Sequence, residues 1–251
     1  MTTSGGRSRR IPGVAIREVH AAAATGVHDV RYGTARVLVK RDPDSACTIV
    51  NEFICARLAI GLGLPVPMGD AGMLDNVRAW VSAEIALDGG VIPPDADIER
   101  AAHAAPGDLA GICVFDVWVS NEDRTEENVL YHPTIGLWAI DHERALGGTL
   151  TLHPEHLEAV SHTSSPWTLI APERLDANQL RGWASRVRNL DPRMIAAAVQ
   201  EASARRLIAT AAQRDAIIDF LSVRSRNIEY LLKASIGEDN LPWLTEPRVG
   251  S

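Results

Sequence analysis

Lysine is almost absent from this chain. Of its 25 Lys and Arg residues, only Lys40 and Lys233 are lysine. Arginine therefore supplies nearly all of the positive charge, although its planar fork of donors differs from the compact ammonium group of lysine. The scarcity suggests that Lys40 serves a task that needs an ammonium group.

Cysteine is also scarce. The chain has Cys47, Cys55 and Cys113, and their odd number and their spacing match no zinc or redox motif. Disulfide-stabilised scaffolds belong to oxidising compartments and use many more cysteines. We therefore expect free, partly buried thiols in a cytoplasmic protein.

Long apolar runs and a basic surface are missing as well. A membrane-spanning helix needs about 18 or more apolar residues, and the best candidate, FICARLAIGLGLPVPM, contains Arg57 and two prolines. The net charge of −7 argues against binding to nucleic acid or anionic membranes, since both need positive charge. We predict no membrane span and no nucleic-acid partner.

The chain has enough apolar residues, 46%, to bury a core. Strand-like patterns surround one helix at about residues 49–62, and helical patterns dominate from Asp97 onward. Further helices are expected at residues 108–121, 173–187, 191–202 and 205–234, with a polar loop at 146–168. The layout predicts an α+β fold of two lobes. The predicted divisions are a disordered tail at 1–12, a strand-rich N-terminal lobe at 13–86, a helical C-terminal lobe at 87–235, and a tail at 236–251.

The stretch VSNEDRTEENVLYHPTIGLWAIDHERAL, residues 119–146, places polar side chains around a predicted hairpin. VLYH and LWAI have the pattern of short strands, and the Pro and Gly of the connecting PTIG suit a turn. Such a hairpin would bring Asn128 and Asp141 together at its open end, with Asp123 on the loop just before it. The stretch therefore predicts three oxygen-bearing side chains in one place.

Asp123, Asn128 and Asp141 suit phosphoryl transfer. Mg²⁺ takes oxygen ligands and keeps several waters, so one Asn and one Asp can hold it. A further carboxylate can orient and deprotonate an attacking hydroxyl. The D-x-x-x-x-N spacing is that of a protein-kinase catalytic loop, and a metal-binding Asp follows later in those chains. Lys40 at the end of a strand could bind phosphates, and Glu52 on the next helix could pair with it. Each residue also has a plainer interpretation as ordinary surface charge, because short motifs often occur by chance.

Together these segments resemble the HipA-like kinase family, in particular its short, actinobacterial-type members that lack an extra N-terminal subdomain. The resembling segments are VLVK, NEFICARLAIGLGLPVP, WVSAEI, FDVWVSNEDRTEEN and WAIDHERAL, within roughly residues 30–146. The resemblance implies a bilobal, protein-kinase-like fold with ATP and Mg²⁺ in the cleft.

The resemblance also implies roles for individual residues. They are Asp123 as the catalytic base, Asn128 and Asp141 as Mg²⁺ ligands, Lys40 as the phosphate-binding lysine with Glu52 beside it, the backbone near Ala83 and Ile85 as the adenine contact, and Arg124 as a brace for the loop or the phosphates. The segment AAAATGV, residues 21–27, would cover the phosphates with its N–H groups. The expected acceptor is a protein Ser/Thr or a small-molecule hydroxyl, and a toxin role with an antitoxin-like partner is a further expectation.

The chain departs from the kinase pattern in three places. It has no G-x-G-x-x-G segment, Glu143 replaces the glycine of a D-F-G-like or D-H-G triplet, and Thr125 stands where many HipA proteins have His. The missing glycine loop keeps open a second hypothesis, a pseudokinase or interaction module that binds nucleotide without turnover.

Two further hypotheses concern the region after the hairpin. The loop that carries Ser161, Thr163, Ser164 and Ser165 lies where kinases often have an activation segment, so autophosphorylation there is one expectation. The other is a zinc-dependent hydrolase, because a loose cluster of potential ligands occurs in the same region. Its members are Asp141, His142, His153, His156 and His162.

Overall fold

The structure is a computed structural model that describes residues 16–22, 30–41, 47–85, 97–148 and 152–245. Within these residues, no helix is both long and apolar enough to cross a membrane. The predicted boundary between the lobes, at residues 86 and 87, lies outside the described residues. The division of the chain at that point therefore stays a prediction.

Antiparallel strands form the N-terminal lobe, as the β-branched and alternating patterns predict. The strands are β1 (Ile16–Ala22), β2 (Arg31–Ala35), β3 (Val37–Arg41), β4 (Gly69–Leu74) and β5 (Val77–Ala83). β1 pairs with β2, and β5 lies between β3 and β4 in a second sheet. In this sheet Lys40 lies opposite Trp80. The register fixes the position of Lys40 near the end of β3.

Helix α1 (Cys47–Leu62) crosses the N-terminal lobe and is buried along most of its length. It packs against β4 and β5 on one side and against a helix of the C-terminal lobe on the other. A helix with apolar residues on all sides is expected to be buried in this way. It ends as predicted at Gly63, whose φ is +77°, and the N–H of Leu64 donates to the carbonyl oxygen of Ala59 at 2.9 Å. This is the geometry of a glycine C-cap.

Helices dominate the C-terminal lobe. They are α2 (Ile98–Ala104), α3 (Pro106–Val119), α4 (Pro154–Val160), α5 (Ala177–Arg188), α6 (Pro192–Ala204), α7 (Ala211–Arg226), α8 (Ile228–Ile236) and α9 (Pro242–Thr245). The apolar helix α3 is central, because it packs against α5, α7 and α8. The predicted hairpin is present as β6 (Val129–His132) and β7 (Gly136–Ala139). The α+β fold of two lobes is therefore confirmed.

One apolar core runs through both lobes. The same cluster contains Phe53 and Ile54 of α1, Ile112 of α3 and Leu221 of α7. All three cysteines are free and buried, as expected, and burial raises the pKa of the Cys55 thiol well above its usual value. Helix α1 is therefore a shared element of the two lobes.

Ion pairs and hydrogen bonds of charged side chains connect α1 and β4 to α6. The guanidinium of Arg57 donates to both carboxylate oxygens of Glu201, at 3.0 and 3.1 Å, and to the carbonyl oxygen of Gly69 at 3.0 Å. Arg205 reaches Asp70 of β4 at 3.0 Å. The hydrogen bonds from Arg57 lower the pKa of Glu201. A bidentate arginine–carboxylate pair of this kind fixes direction as well as distance.

The single helix predicted at residues 205–234 is wrong. α6 ends before Arg206, whose φ is +58°, and α7 begins after Thr210. Thr210 and Gln213 form a reciprocal capping box, which starts a new helix by satisfying its first N–H groups. Asn227 separates α7 from α8. These polar caps interrupt an apolar pattern that continues through them.

Two predicted irregular segments contain helices. The polar loop predicted at 146–168 includes α4, which begins with Pro154, a favoured first residue of a helix. In the tail predicted from residue 236, short helices continue to Thr245, and Leu241 is fully buried. Burial of Leu241 against the core explains why this segment is ordered into helical turns.

Arg224 of α7 joins the end of α3 to the chain that follows α4. Its guanidinium donates to the carbonyl oxygens of Val117 (2.6 Å), Trp118 (2.8 Å), Val160 (2.9 Å) and Thr163 (2.6 Å). Arg224 is fully buried, and burial lowers the pKa of its guanidinium to about 10. It remains a cation at neutral pH and stabilises carbonyl groups that water reaches poorly.

We predict that Arg224→Met destabilises the fold by about 3 kcal/mol, because several buried carbonyl groups lose a charged donor. Arg226→Met is the matched control, since Arg226 lies two residues along the same helix and is exposed. Urea denaturation followed by circular dichroism measures both free energies of unfolding. Equal stability of the two variants would contradict the structural role of Arg224.

Candidate active site

Lys40 lies at the centre of a cluster of carboxylates. Its Nζ is 2.9 Å from Glu52 Oε1, 2.6 Å from Asp141 Oδ1 and 3.1 Å from Glu143 Oε2. Burial lowers the pKa of Lys40, but the carboxylates of Glu52 and Asp141 more than offset this, and the net shift is upward. The pairing of Lys40 with Glu52 is confirmed, and Lys40 remains a cation throughout the physiological range.

Glu52 is held from two directions. Its Oε1 accepts from Lys40, and its Oε2 accepts from the backbone N–H of His142 at 3.2 Å. The residue is 4% exposed, and burial raises the pKa of its carboxyl while Lys40 and this N–H oppose the shift. Glu52 therefore links β3 to the segment that carries Asp141.

Asn51, the residue before Glu52, holds the chain beyond Asp141. Its Nδ2 lies 2.7 Å from the carbonyl oxygen of Glu143, 2.8 Å from that of Ala145 and 3.1 Å from that of Gly148. The side chain is fully buried. One amide therefore fixes the loop of residues 143–148 against helix α1.

The backbone at Asp141 adopts a conformation that few residues adopt. Its φ is +61°, in the left-handed region, which Asp and Asn tolerate better than most other residues. Such conformations persist where the surroundings enforce them, and they concentrate at functional sites. Here the enforcing contacts are that of Lys40 with Asp141 itself and those of Glu52 and Asn51 with the residues that follow it.

Arg124 is buried beneath the loop and braces it. Its guanidinium forms a bidentate pair with Asp116 of α3, at 2.8 and 2.9 Å, and donates to the carbonyl oxygens of Asn128 and Ile140 at 2.7 and 2.5 Å. Burial lowers its pKa, but Asp116 outweighs that effect and raises it. Of the two roles expected for Arg124, the contacts fit the brace and do not fit a phosphate ligand.

The two ends of the hairpin meet as predicted. The N–H of Ile140 donates to the carbonyl oxygen of Asn128 at 3.1 Å, which brings Asn128 beside the residue that precedes Asp141. The Nδ2 of Asn128 donates to the carbonyl oxygen of Asp123 at 2.9 Å. Because this bond uses the amide nitrogen, a cation would meet the amide oxygen. An amide oxygen and a carboxylate are ligands that suit Mg²⁺.

Asp123 faces a different partner. Its Oδ2 lies 3.3 Å from Nε of Arg144, and both side chains are about half exposed. Arg144 follows Glu143 directly, so the loop after Asp141 returns to the loop that carries Asp123. The predicted base is therefore accessible and oriented by a cation.

A cavity of about 380 Å³ lies between the sheet and the hairpin. Its lining includes Leu38, Val39, Ala56, Val66, Trp80, Ala83, Ile85, Leu130 and Ala139, together with Lys40, Glu52, Asp141 and His142. Ligand pockets commonly hold about 300–1,000 Å³ and combine apolar walls with a few polar groups. The cavity therefore joins an apolar compartment to the charged cluster.

Both residues expected to contact adenine line this cavity. The N–H of Ala83 is already donated to the carbonyl oxygen of Met68 at 2.7 Å. Ile85 is buried and packs with Ile135 and Trp138 of the hairpin region.

Of two further expectations, the phosphate-covering segment stays a prediction, and the zinc site finds no support in the geometry. Most of AAAATGV lies outside the described residues, and its first two residues end β1. Two histidines of the hydrolase hypothesis have separate partners. The ring of His142 packs on Phe115, and a ring nitrogen of His156 lies 2.8 Å from the carbonyl oxygen of Gly147. Within the described ranges, no group of three or more His, Cys, Asp or Glu is arranged to hold a metal.

Sequence reasoning missed the roles of Asn51, Asp116 and Arg144. A signal exists for the first two, because each is a polar residue inside a helix that is otherwise strongly apolar. Buried polar groups need partners, so their presence indicates a buried network. Arg144 is exposed on a loop, and the sequence offers no comparable signal for it.

The fold and the site define a kinase-like protein. The family model for HipA-like kinases matches residues 34–180, more than half of the chain. The chain belongs to the HipA-like kinase family, as the resemblance implied. This family assignment implies ATP and a divalent metal in general terms.

One solved kinase structure supports this fold, and a second is similar at a lower level. The proinflammatory kinase CtkA of Helicobacter pylori is similar with a TM-score of 0.55 and 10% identity, over 90% of this chain and 96% of that chain. HipA of Shewanella oneidensis MR-1, in a toxin–antitoxin complex with HipB and operator DNA, has a TM-score of 0.46 and 13% identity, over 90% of this chain and 67% of that chain. At these identities the likeness to CtkA concerns the fold alone, and no conclusion is drawn from HipA. No curated protein matches the sequence.

We predict that Asn51→Asp lowers the free energy of unfolding by about 3 kcal/mol. The new carboxylate cannot donate, and it faces three carbonyl oxygens next to Glu52. Asn178→Asp is the control, because Asn178 is an exposed residue of α5, and exposed substitutions usually change stability by less than about 0.5 kcal/mol. Urea denaturation of both variants measures the difference. A stable Asn51→Asp variant would mean that this amide does not hold the loop.

Proposed function

We propose that this chain is an ATP- and Mg²⁺-dependent kinase that transfers the γ-phosphoryl group to a Ser or Thr hydroxyl of a protein. The observation that carries the proposal is the meeting of Lys40, Glu52 and Asp141, which come from β3, α1 and the segment after β7. A Lys–Glu pair and a metal-binding Asp are required together in protein kinases. Their convergence beside a ligand-sized cavity supports nucleotide binding.

Each residue of the cluster would bind a different part of the Mg²⁺–nucleotide complex or position a residue that does. Lys40 would hold the phosphates, Glu52 would keep the ammonium group in place, and Asn128 and Asp141 would supply oxygen ligands for Mg²⁺. When bound, Mg²⁺ neutralises charge on the phosphates during transfer. The apolar wall that includes Leu38, Val66, Trp80 and Ile85 would enclose the base.

Asp123 would orient the acceptor hydroxyl and accept its proton. Its position on an accessible loop, five residues before Asn128, supports this role, and its carboxylate is not enclosed by the Lys40 cluster. Arg144 lies at 3.3 Å and holds the carboxylate on that side. General-base catalysis requires this combination of access and fixed geometry.

The acceptor class and the partner rest on the family. A protein Ser or Thr is proposed because the resemblance implies it, and an antitoxin-like partner stays a prediction for the same reason. Within this chain, Ser165 donates to Glu122 Oε1 at 2.7 Å, directly beside Asp123. Ser161 is buried, and Thr163 donates to the carbonyl oxygen of Val160 at 3.2 Å.

We predict ATP turnover with Mg²⁺ that is lost in EDTA. Turnover should fall at least about 100-fold in Asp123→Asn, which removes the proposed general base, and in Asp141→Asn, which removes a charged Mg²⁺ ligand. Asp219→Asn, an exposed change on α7 with the same loss of charge, should retain wild-type turnover. Release of ADP is the measurement. Nucleotide binding without turnover in the wild type would instead establish the pseudokinase, and absence of binding would remove the proposal.

For autophosphorylation, we predict Ser165 as the modified residue of the loop, because its exposed hydroxyl already contacts the catalytic loop. Mass spectrometry after incubation with ATP and Mg²⁺ should find the modification in the wild type and in Thr163→Ala, and lose it in Ser165→Ala. An unmodified loop in an active enzyme would contradict this prediction.

A further inference from the structure

The ammonium group of Lys40 is fully engaged before any nucleotide arrives. It has three hydrogens and no acceptor capacity. The carboxylates of Glu52, Asp141 and Glu143 lie at 2.9, 2.6 and 3.1 Å. A phosphate oxygen can therefore bind Lys40 only by replacing one of them.

The three carboxylates differ in how firmly they are held. The side chain of Glu52 is 5% exposed, and its second oxygen accepts from the N–H of His142. Asp141 makes the shortest contact. Glu143 makes the longest of the three contacts, and its side chain is 33% exposed.

The backbone of Glu143 is fixed independently of its side chain. The Nδ2 of Asn51 lies within hydrogen-bond distance of the carbonyl oxygens of Glu143, Ala145 and Gly148, and its two hydrogens are shared among them. The carboxylate can therefore leave Lys40 by side-chain rotation, while the loop stays in place. Among the three partners of Lys40, Glu143 is the one that a phosphate replaces at least cost.

We propose that Glu143 competes with the nucleotide phosphates for Lys40 and thereby selects the metal-complexed nucleotide. This rests on the proposed nucleotide site. A metal-free polyphosphate carries more negative charge than its Mg²⁺ complex, so it is repelled more strongly by a carboxylate that has been displaced but remains close. Glu143 therefore weakens binding of both forms, and it weakens binding of the metal-free form more.

The test is calorimetric binding of the non-hydrolysable ATP analogue AMP-PNP, with Mg²⁺ and in EDTA, at low ionic strength. In Glu143→Gln and Glu143→Ala we expect roughly threefold tighter binding with Mg²⁺, within the range of a partly exposed ion pair. In EDTA we expect a gain of roughly fivefold or more, because repulsion of the unneutralised phosphates is removed as well.

Two controls accompany these variants. Glu173→Gln removes one exposed carboxylate from the short helix Pro172–Arg174 and reports the effect of net charge; its affinity should stay within about twofold of wild type. Glu52→Gln removes the buried partner of Lys40 and should weaken binding. Opposite signs for the changes at Glu52 and Glu143 are the signature of a competitor.

The outcomes distinguish failure of the inference about Glu143 from failure of the proposed nucleotide site. If the wild type binds and the Glu143 variants bind within twofold of it, or more weakly, the inference is overturned while the nucleotide site stands. Weaker binding confined to the Mg²⁺ condition would identify Glu143 as a metal ligand, which also overturns the inference. If neither the wild type nor the Glu143 variants bind, both the proposed function and the inference fail.

Discussion

The site depends on the burial of two consecutive polar residues in an apolar helix. Asn51 and Glu52 lie on α1 with 0% and 4% exposure, and a buried polar group is costly unless it is hydrogen-bonded. Glu52 meets that requirement with Lys40 and the N–H of His142. For Asn51, the amide nitrogen meets it with carbonyl groups that follow Asp141. One turn of helix therefore positions both Lys40, the proposed phosphate-binding residue, and the loop that carries Asp141, the proposed metal ligand.

A second buried network holds the loop that carries Asp123 in the same way. Arg124 and Asp116 are both almost completely buried, and removing one partner of such a pair leaves an uncompensated charge. The remaining donors of Arg124 bind the carbonyl oxygens of Asn128 and Ile140, the two ends of the hairpin. The loop that carries Asp123, the proposed general base, is therefore held in place by a buried network, while the Asp123 carboxylate itself is about half exposed.

Much of this arrangement could be predicted from the sequence, because it depends on local patterns. A turn signal or a periodic pattern in the sequence predicts the strand that ends near Lys40, the glycine cap at Gly63 and the hairpin after Asn128. The scarcity of lysine indicates a specific role for Lys40. The break at Asn227 and the burial of Leu241 could not be predicted, since both depend on tertiary packing and on caps within a continuous apolar pattern. The bond between Glu143 and Lys40 joins residues 103 positions apart, and no local pattern specifies it.

The shared position of α1 limits what can regulate this protein. Val50, Phe53, Ile54 and Leu58 are essentially unexposed, and exposing four such side chains costs at least about 6 kcal/mol at 1.5 kcal/mol each. A ligand needs about 5.5 kcal/mol of differential affinity to invert a population from 1:99 to 99:1. A conformer with α1 displaced is therefore too rare for an ordinary effector to select. If the proposed function holds, control would act on the entry of nucleotide and acceptor into a site that is already assembled.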